Sequence, residues 1–174
     1  MHGEVLHWVS DAIAVYKNEE GTKKSDANVL EFGSLDINGS VRSLFDELVG
    51  QEGTYLGIDV QEGPGVDLVA DASAYKSDIQ YDIVVCAEVF EHTSLWSKII
   101  KNAYSLLVPG GMFIATMAGE GRAPHSAIDE NPIRDWEYYK NITNSMLTEA
   151  LEKAKFSHST VSVHGTDTRC WAIK

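Results

Sequence analysis

The chain has 174 residues, 44% of them hydrophobic, the size and composition of one soluble globular domain with a real core. Fourteen basic against 26 acidic side chains leave a net charge of -12. Such a surface repels phosphate backbones and anionic headgroups, so neither nucleic acid nor membrane is an expected partner. Cys86 and Cys170 sit in apolar contexts without metal-ligand spacing, which predicts buried free thiols and a reduced, cytoplasmic compartment. The first residues lack the basic start and apolar block of a signal peptide, and no stretch has the length of a membrane span.

In chain order, Val5, Trp8, Val9, Ala12, Ile13 and Tyr16 form one face of an amphipathic helix, followed by a polar linker over 17–26. This helix is expected to cover a cofactor cleft or one side of a sheet. His2 and His7 read as exposed. Residues 27–49 then read as strand, turn and helix in immediate succession. Asn28–Phe32 is the apolar run of a buried parallel strand, and Val41, Leu44, Phe45, Leu48 and Val49 recur at helical spacing. Between them Gly33 and Gly39 permit positive φ and close approach of backbone to a ligand, and Ser40 is the expected helix cap. Such a turn at the carboxyl edge of a sheet is suited to an anion or a nucleotide.

A second strand ends in Asp59, and the Gly- and Pro-bearing segment 61–65 leaves no room for a full helix before a brief strand over 66–70 that ends at Asp71. Residues 81–86 are the plainest buried strand and close on Glu88, Glu91 and His92. From Ser94, the expected cap, apolar residues keep helical phase until Pro109, Gly110 and Gly111; a fifth strand occupies 112–117. Residues 118–142 lack periodicity, and loops of that length are commonly functional; Trp136, Tyr138 and Tyr139 argue for order within it. Thr143 caps a helix carrying Met146, Leu147, Ala150, Leu151 and Ala154. Two strands around a tight turn at 165–167, which must run antiparallel, end the sequence.

Three segments, VLEFGSLDINGS (29–40), YLGIDVQEGPGVDLVADA (55–72), and YDIVVCAEVFEHT (81–93) running into LLVPGGMFIATM (106–117), give the chain a resemblance to the class I S-adenosylmethionine-dependent methyltransferases. The resemblance extends over residues 28–174 and rests on the order and spacing of the three together. It implies an α/β fold with a doubly wound, seven-stranded, mostly parallel sheet and an antiparallel C-terminal strand, the Rossmann-like methyltransferase fold. In this reading 1–174 is a single domain: N-terminal helix and linker (1–26), cofactor-binding core (27–117), substrate-side loop (118–142), and helix with terminal hairpin (143–174). One departure stands out. Leu35 and Ile37 occupy the second and third glycine places of the family's loop, and Gly39 is expected to take over in a longer turn.

Carried over, the resemblance places Glu31 near the methionine amino group of the cofactor and Gly33 where backbone passes it, with Ser34 and Asn38 on the same loop. Asp59 takes the ribose hydroxyls, with Val60 beside it; Asp71 accepts from the adenine amino group beside the Ala72 amide; Glu88 faces the methionine end or the substrate. An acceptor-only carboxylate at a strand end is chemically suited to paired hydroxyls. The sulfonium makes the methyl electrophilic unaided, so the protein has mainly to align a nucleophile, adding a base where that nucleophile starts protonated. His125 and His92 are the candidates for that base or for acceptor contact. Arg122, Trp136 and Tyr139 are the expected substrate contacts, with Arg134 and Tyr138 beside them. No metal is expected. The predicted function is methyl transfer from S-adenosyl-L-methionine to oxygen or nitrogen of a small molecule, leaving S-adenosyl-L-homocysteine, by a monomer or homodimer. A non-catalytic cofactor- or partner-binding module and an NAD(P)-dependent oxidoreductase are the alternatives.

Overall fold

The computed structural model describes residues 3–19, 26–129 and 131–174. His2, expected to be exposed, and most of the predicted linker lie outside the described residues. The first helix, α1 (Gly3–Glu19), is followed by β1 (Asn28–Phe32), β2 (Thr54–Asp59), β3 (Leu68–Val69), β4 (Tyr81–Ala87) and β5 (Leu107–Ala118). A one-turn α2 (Asp46–Val49) precedes β2, α3 (Trp96–Leu106) precedes β5, and α4 (Asn144–Ala154) leads to β6 (His158–His164) and β7 (Asp167–Ile173). The seven strands form one sheet in the order β3-β2-β1-β4-β5-β7-β6. Every pairing from β3 to β5 is parallel and β7 alone is reversed, antiparallel to β5 and β6, the doubly wound arrangement expected.

The sheet is covered on both faces, which is why its inner strands are apolar throughout rather than alternating. On one face Val5, Val9, Ala12, Ile13 and Tyr16 of α1 pack against Val29, Ile83, Val85, Met112 and Ile114. On the other, Ile99, Ile100 and Ala103 of α3 with Leu147 and Leu151 of α4 cover Leu30, Phe32, Val84 and Phe113. Each fully buried Leu, Ile or Phe contributes about 1.5–3 kcal/mol. Trp96 packs on the second cluster and Trp171 on the first, and Cys86 and Cys170 are buried free thiols. The α1 helix therefore covers one side of the sheet.

Five local expectations change. The predicted helix over 41–49 is a 3-10 turn, Arg42–Phe45, followed by α2, because Gly50 and the bond from Ala27 N–H to Leu48 O return the chain at once to β2. Ser40 accepts from the Arg42 amide at 3.1 Å within that turn instead of capping a long helix. Thr93, rather than Ser94, shapes the entry to α3, its hydroxyl accepting from the Leu95 amide at 3.1 Å. The third strand shrinks to two residues at the sheet edge. The strand expected over 112–117 begins at Leu107, and Pro109, Gly110 and Gly111 lie in a bulge where Tyr81 pairs Leu107 but Ile83 pairs Met112. There a proline removes no ladder bond.

Arg42 ties the 3-10 turn to β2 and to the segment after it, donating to Tyr55 O, Gly65 O and Asp67 while stacking on the Tyr55 ring. Because β1, β2 and β4 run parallel, their carboxyl ends lie together along one edge of the sheet. Among the described residues no helix is long and apolar enough to cross a membrane.

Candidate functional site

A cavity of about 460 Å³ lies along that edge, in the size range of ligand pockets. Its first half comes from the loops after β1, β2 and β3. Gly33 follows β1 with φ 76°, and a Cβ there would come within 2.1 Å of Val89 Cγ2, so only glycine lets this loop approach the turn after β4. Gly39, at φ 124°, donates to Asp36 Oδ1 at 2.7 Å, and Asp36 N–H donates to Pro64 O at 2.8 Å, producing the longer turn. Asp59, ending β2, accepts from Gln61 N–H on Oδ1 at 2.9 Å and from Leu35 N–H on Oδ2 at 3.3 Å. Each oxygen keeps a lone pair for a ligand on the cavity side. Asp71 accepts from Ser73 N–H at 2.8 Å, and Asn102 of α3 fixes this wall by donating to Ala72 O and Tyr75 O, both at 2.9 Å.

The second half is formed by the turn after β4 and the 118–142 loop. Glu88 has φ 57°, an unusual left-handed position for a glutamate, and its carboxylate lies 3.7 Å from the Arg122 guanidinium. His92 and His125 meet edge to face, ring centres 5.0 Å apart, and Tyr139 packs edge-on against both at 5.5 and 5.1 Å. Burial, reinforced by His125, lowers the His92 imidazole to about 4, so it is neutral at pH 7. His125 pairs Nδ1 with Ala123 O at 3.2 Å. Beneath them Glu91 is fully buried, accepting from Ala118 N–H at 3.0 Å; burial, then Glu88, pushes its carboxyl up to about 8. One oxygen of Glu91 and one ring nitrogen from each of His92 and His125 lie within 4.8 Å of one another. Tyr138 and the 72% exposed Trp136 stand at the mouth.

A family described as "Methyltransferase domain" matches residues 5–156. The chain belongs to this family. Among curated relatives, the ubiquinone biosynthesis O-methyltransferase of Pseudomonas entomophila is 33% identical over 101 aligned positions, and that of Pseudomonas fluorescens 31%. Each alignment covers 48% of this chain and 43% of the relative, so the match spans less than half of those proteins. Among solved structures, the 1,6-didemethyltoxoflavin-N1-methyltransferase of Burkholderia thailandensis, with 1,6-didemethyltoxoflavin and S-adenosylhomocysteine bound, is 18% identical with TM-score 0.64, over 94% of this chain and 76% of that one. An S-adenosylmethionine-dependent methyltransferase from Clostridium acetobutylicum is 14% identical with TM-score 0.66, over 96% and 90%. At those identities the likeness establishes the shared fold.

Within this methyltransferase domain, Gly33, Asn38, Asp59, Val60, Asp71, Ala72, Glu88, His92, His125 and Trp136 all line the cavity. Four expected residues do not. Glu31 faces the α1 side of the sheet, where its carboxylate accepts from Tyr55 Oη–H at 2.8 Å and burial pushes it up to about 7 against the pull of that bond. Ser34 is buried against Gly57, and Arg122 is held by Asp167 and Glu88. Tyr139 stands behind the two histidines. Arg134 is likewise taken up by Asp129, Glu137 and Ser126.

Sequence reasoning missed Leu35, Ile37, Ile99 and Ile128 as cavity walls. Leu35 and Ile37 were visible as departures from the glycine pattern; Ile99 carried only a helical-core signal.

Proposed function

We propose that this chain transfers the methyl group of S-adenosylmethionine to a small-molecule acceptor. The observation that carries the reading is Asp59, which ends β2 at the cavity with each carboxylate oxygen steadied by one backbone amide. That arrangement fits the paired hydroxyls of a ribose. The groove passing Gly33 gives room for the sulfur chain, and Asp71 with the Ala72 backbone bounds the place for an adenine. Leu35, Ile37 and Ile99 supply the apolar surface on which a base can stack.

The cofactor supplies an activated methyl; the chain's task is to hold donor and acceptor in line and exclude water. His125 and Glu88 face the far half of the cavity, where His125 meets the acceptor's reacting group and Trp136 and Tyr138 flank the entrance. A cavity of this size suits a small molecule. The names of the curated relatives, both O-methyltransferases, favour an oxygen acceptor. The two buried thiols support a reducing, cytoplasmic setting.

The test is calorimetric titration with S-adenosylhomocysteine of the wild type and of Asp59→Asn, which keeps an acceptor for the backbone but loses the charge. The wild type is expected to bind, and the variant to lose about 2–3 kcal/mol, on the order of 100-fold in affinity. Absence of binding heat in the wild type, or equal affinity in both, would overturn the reading.

A further inference from the structure

Glu91, His92 and His125 come from two separate stretches, the turn after β4 and the loop after β5; the two histidines line the cavity, Glu91 is buried against them, and one ligand atom of each lies within 4.8 Å of the others. Two nitrogens and a carboxylate oxygen on one side, with a cavity on the other, form the three-ligand, open-face arrangement of a reactive metal site.

Two further observations point the same way. Glu91 is wholly buried, and while Oε1 accepts from the Ala118 amide, Oε2 has no hydrogen-bond partner among the described residues. A buried carboxylate oxygen left without a donor is costly unless a ligand satisfies it. His125 sets its Nδ1 against the Ala123 carbonyl, which fixes the tautomer with a lone pair on Nε2; Tyr139, edge-on to both rings, holds their planes. A backbone carbonyl on the second nitrogen is the usual support of a metal-ligating histidine.

We propose that Glu91, His92 and His125 bind one divalent transition-metal ion in the wall of the cavity. Bonds of about 2.0–2.2 Å set ligand atoms roughly 3–3.5 Å apart. Binding therefore draws the three groups together by about an ångström, chiefly through the loop that carries His125. The ion's open face looks toward the acceptor half of the cavity. Resting on the methyl-transfer reading, this narrows the acceptor to a hydroxyl. A hydroxyl oxygen on the ion releases its proton to solvent more readily, then bonds to the methyl carbon as the carbon-sulfur bond breaks and the sulfonium becomes a neutral thioether.

The test uses the full chain stripped with chelator and titrated with zinc against a chromophoric competitor, without any methyl donor. One equivalent is expected to bind, with affinity reduced about 100-fold or more in His125→Ala and in Glu91→Gln, because losing a ligand costs at least as much as losing its support. The surface variant His164→Ala, which removes an exposed imidazole 3.2 Å from Glu4, is expected to bind as the wild type does. Should Glu91→Gln fail to fold, His125→Ala on its loop decides alone. Unchanged affinity in His125→Ala, or binding abolished by His164→Ala, overturns the site. Titrating the same stripped samples with S-adenosylhomocysteine separates the two readings. Nucleoside binding without zinc binding refutes the metal site alone, and zinc binding without nucleoside binding refutes the methyl-transfer reading and with it the hydroxyl role. Transfer to a phenol that is equal with and without zinc removes the hydroxyl role while the site stands.

Discussion

Two glutamates on one sheet edge are asked for different chemistry by their surroundings. Glu31 is buried against Tyr55, and its carboxyl is raised from the ordinary range to about 7. A carboxyl raised in the folded state binds more protons than in the unfolded chain, so its stabilising effect is complete below its unfolded value and is lost as pH rises toward 7. Over that window the group removes up to about 1.4 kcal/mol of stability per pH unit. Denaturant unfolding of Glu31→Gln, which still accepts from the Tyr55 hydroxyl, is expected to show a flatter profile between pH 4.5 and 7. Glu88, by contrast, is held at φ 57° so that its side chain reaches the cavity. Glu88→Gly is expected to stabilise the fold by about 1 kcal/mol through relief of the left-handed backbone. The same variant weakens S-adenosylhomocysteine binding, an opposition that calorimetry beside chemical unfolding would display.

At the scale of elements, helices on the α3 face position the site from behind. Asn102 is buried and donates to the carbonyls of Ala72 and Tyr75, so α3 holds the wall that carries Asp71. Asn102→Ala leaves both carbonyls without that donor, and unfolding measurements are expected to register a loss of about 2–3 kcal/mol together with weaker nucleoside binding. A change confined to stability, with affinity intact, would show that the wall keeps its shape without α3. Farther from the site, Thr143 caps α4 by accepting from Met146 N–H at 3.3 Å. Thr143→Ala costs about 1 kcal/mol and leaves ligand affinity unchanged, which makes it the control for Asn102→Ala.

For the molecule as a whole, the net charge is -12, and among the described residues some of the basic groups are already taken up by nearby acids, such as Arg42 with Asp67 and Arg122 with Asp167. Self-repulsion of that size opposes the compact state and is screened by salt. The thermal midpoint is therefore expected to rise by a few degrees, roughly the effect of 1 kcal/mol, as sodium chloride increases from low to physiological strength. Calorimetric scans at several ionic strengths would check this, and an unmoved midpoint would mean the acids are already neutralised by neighbours. Nucleoside at 100 times its dissociation constant adds about 2.7 kcal/mol to the same folded state.

Much of this protein was legible in its sequence wherever a signal is local. The runs at Asn28–Phe32 and Tyr81–Ala87 are apolar because both faces of a parallel sheet are covered, and Asp59 announces itself by ending such a run beside a glycine turn. Tertiary structure decided what depends on direction and on distant partners. Glu31 and Asp59 are acids on the same side of the pleat in neighbouring strands, yet Glu31 stops one residue short of the end of β1 and is buried beside Tyr55, whereas Asp59 is the last residue of β2 and opens on the cavity. Arg122 reads from the sequence as a substrate contact, but the fold sets it between Asp167 and Glu88. Glu91, His92 and His125 show no ligand spacing along the chain, because 32 residues, with α3 and β5 among them, lie between the two histidines. Only the parallel pairing of β4 with β5, which brings the ends of both strands to one edge, makes them neighbours.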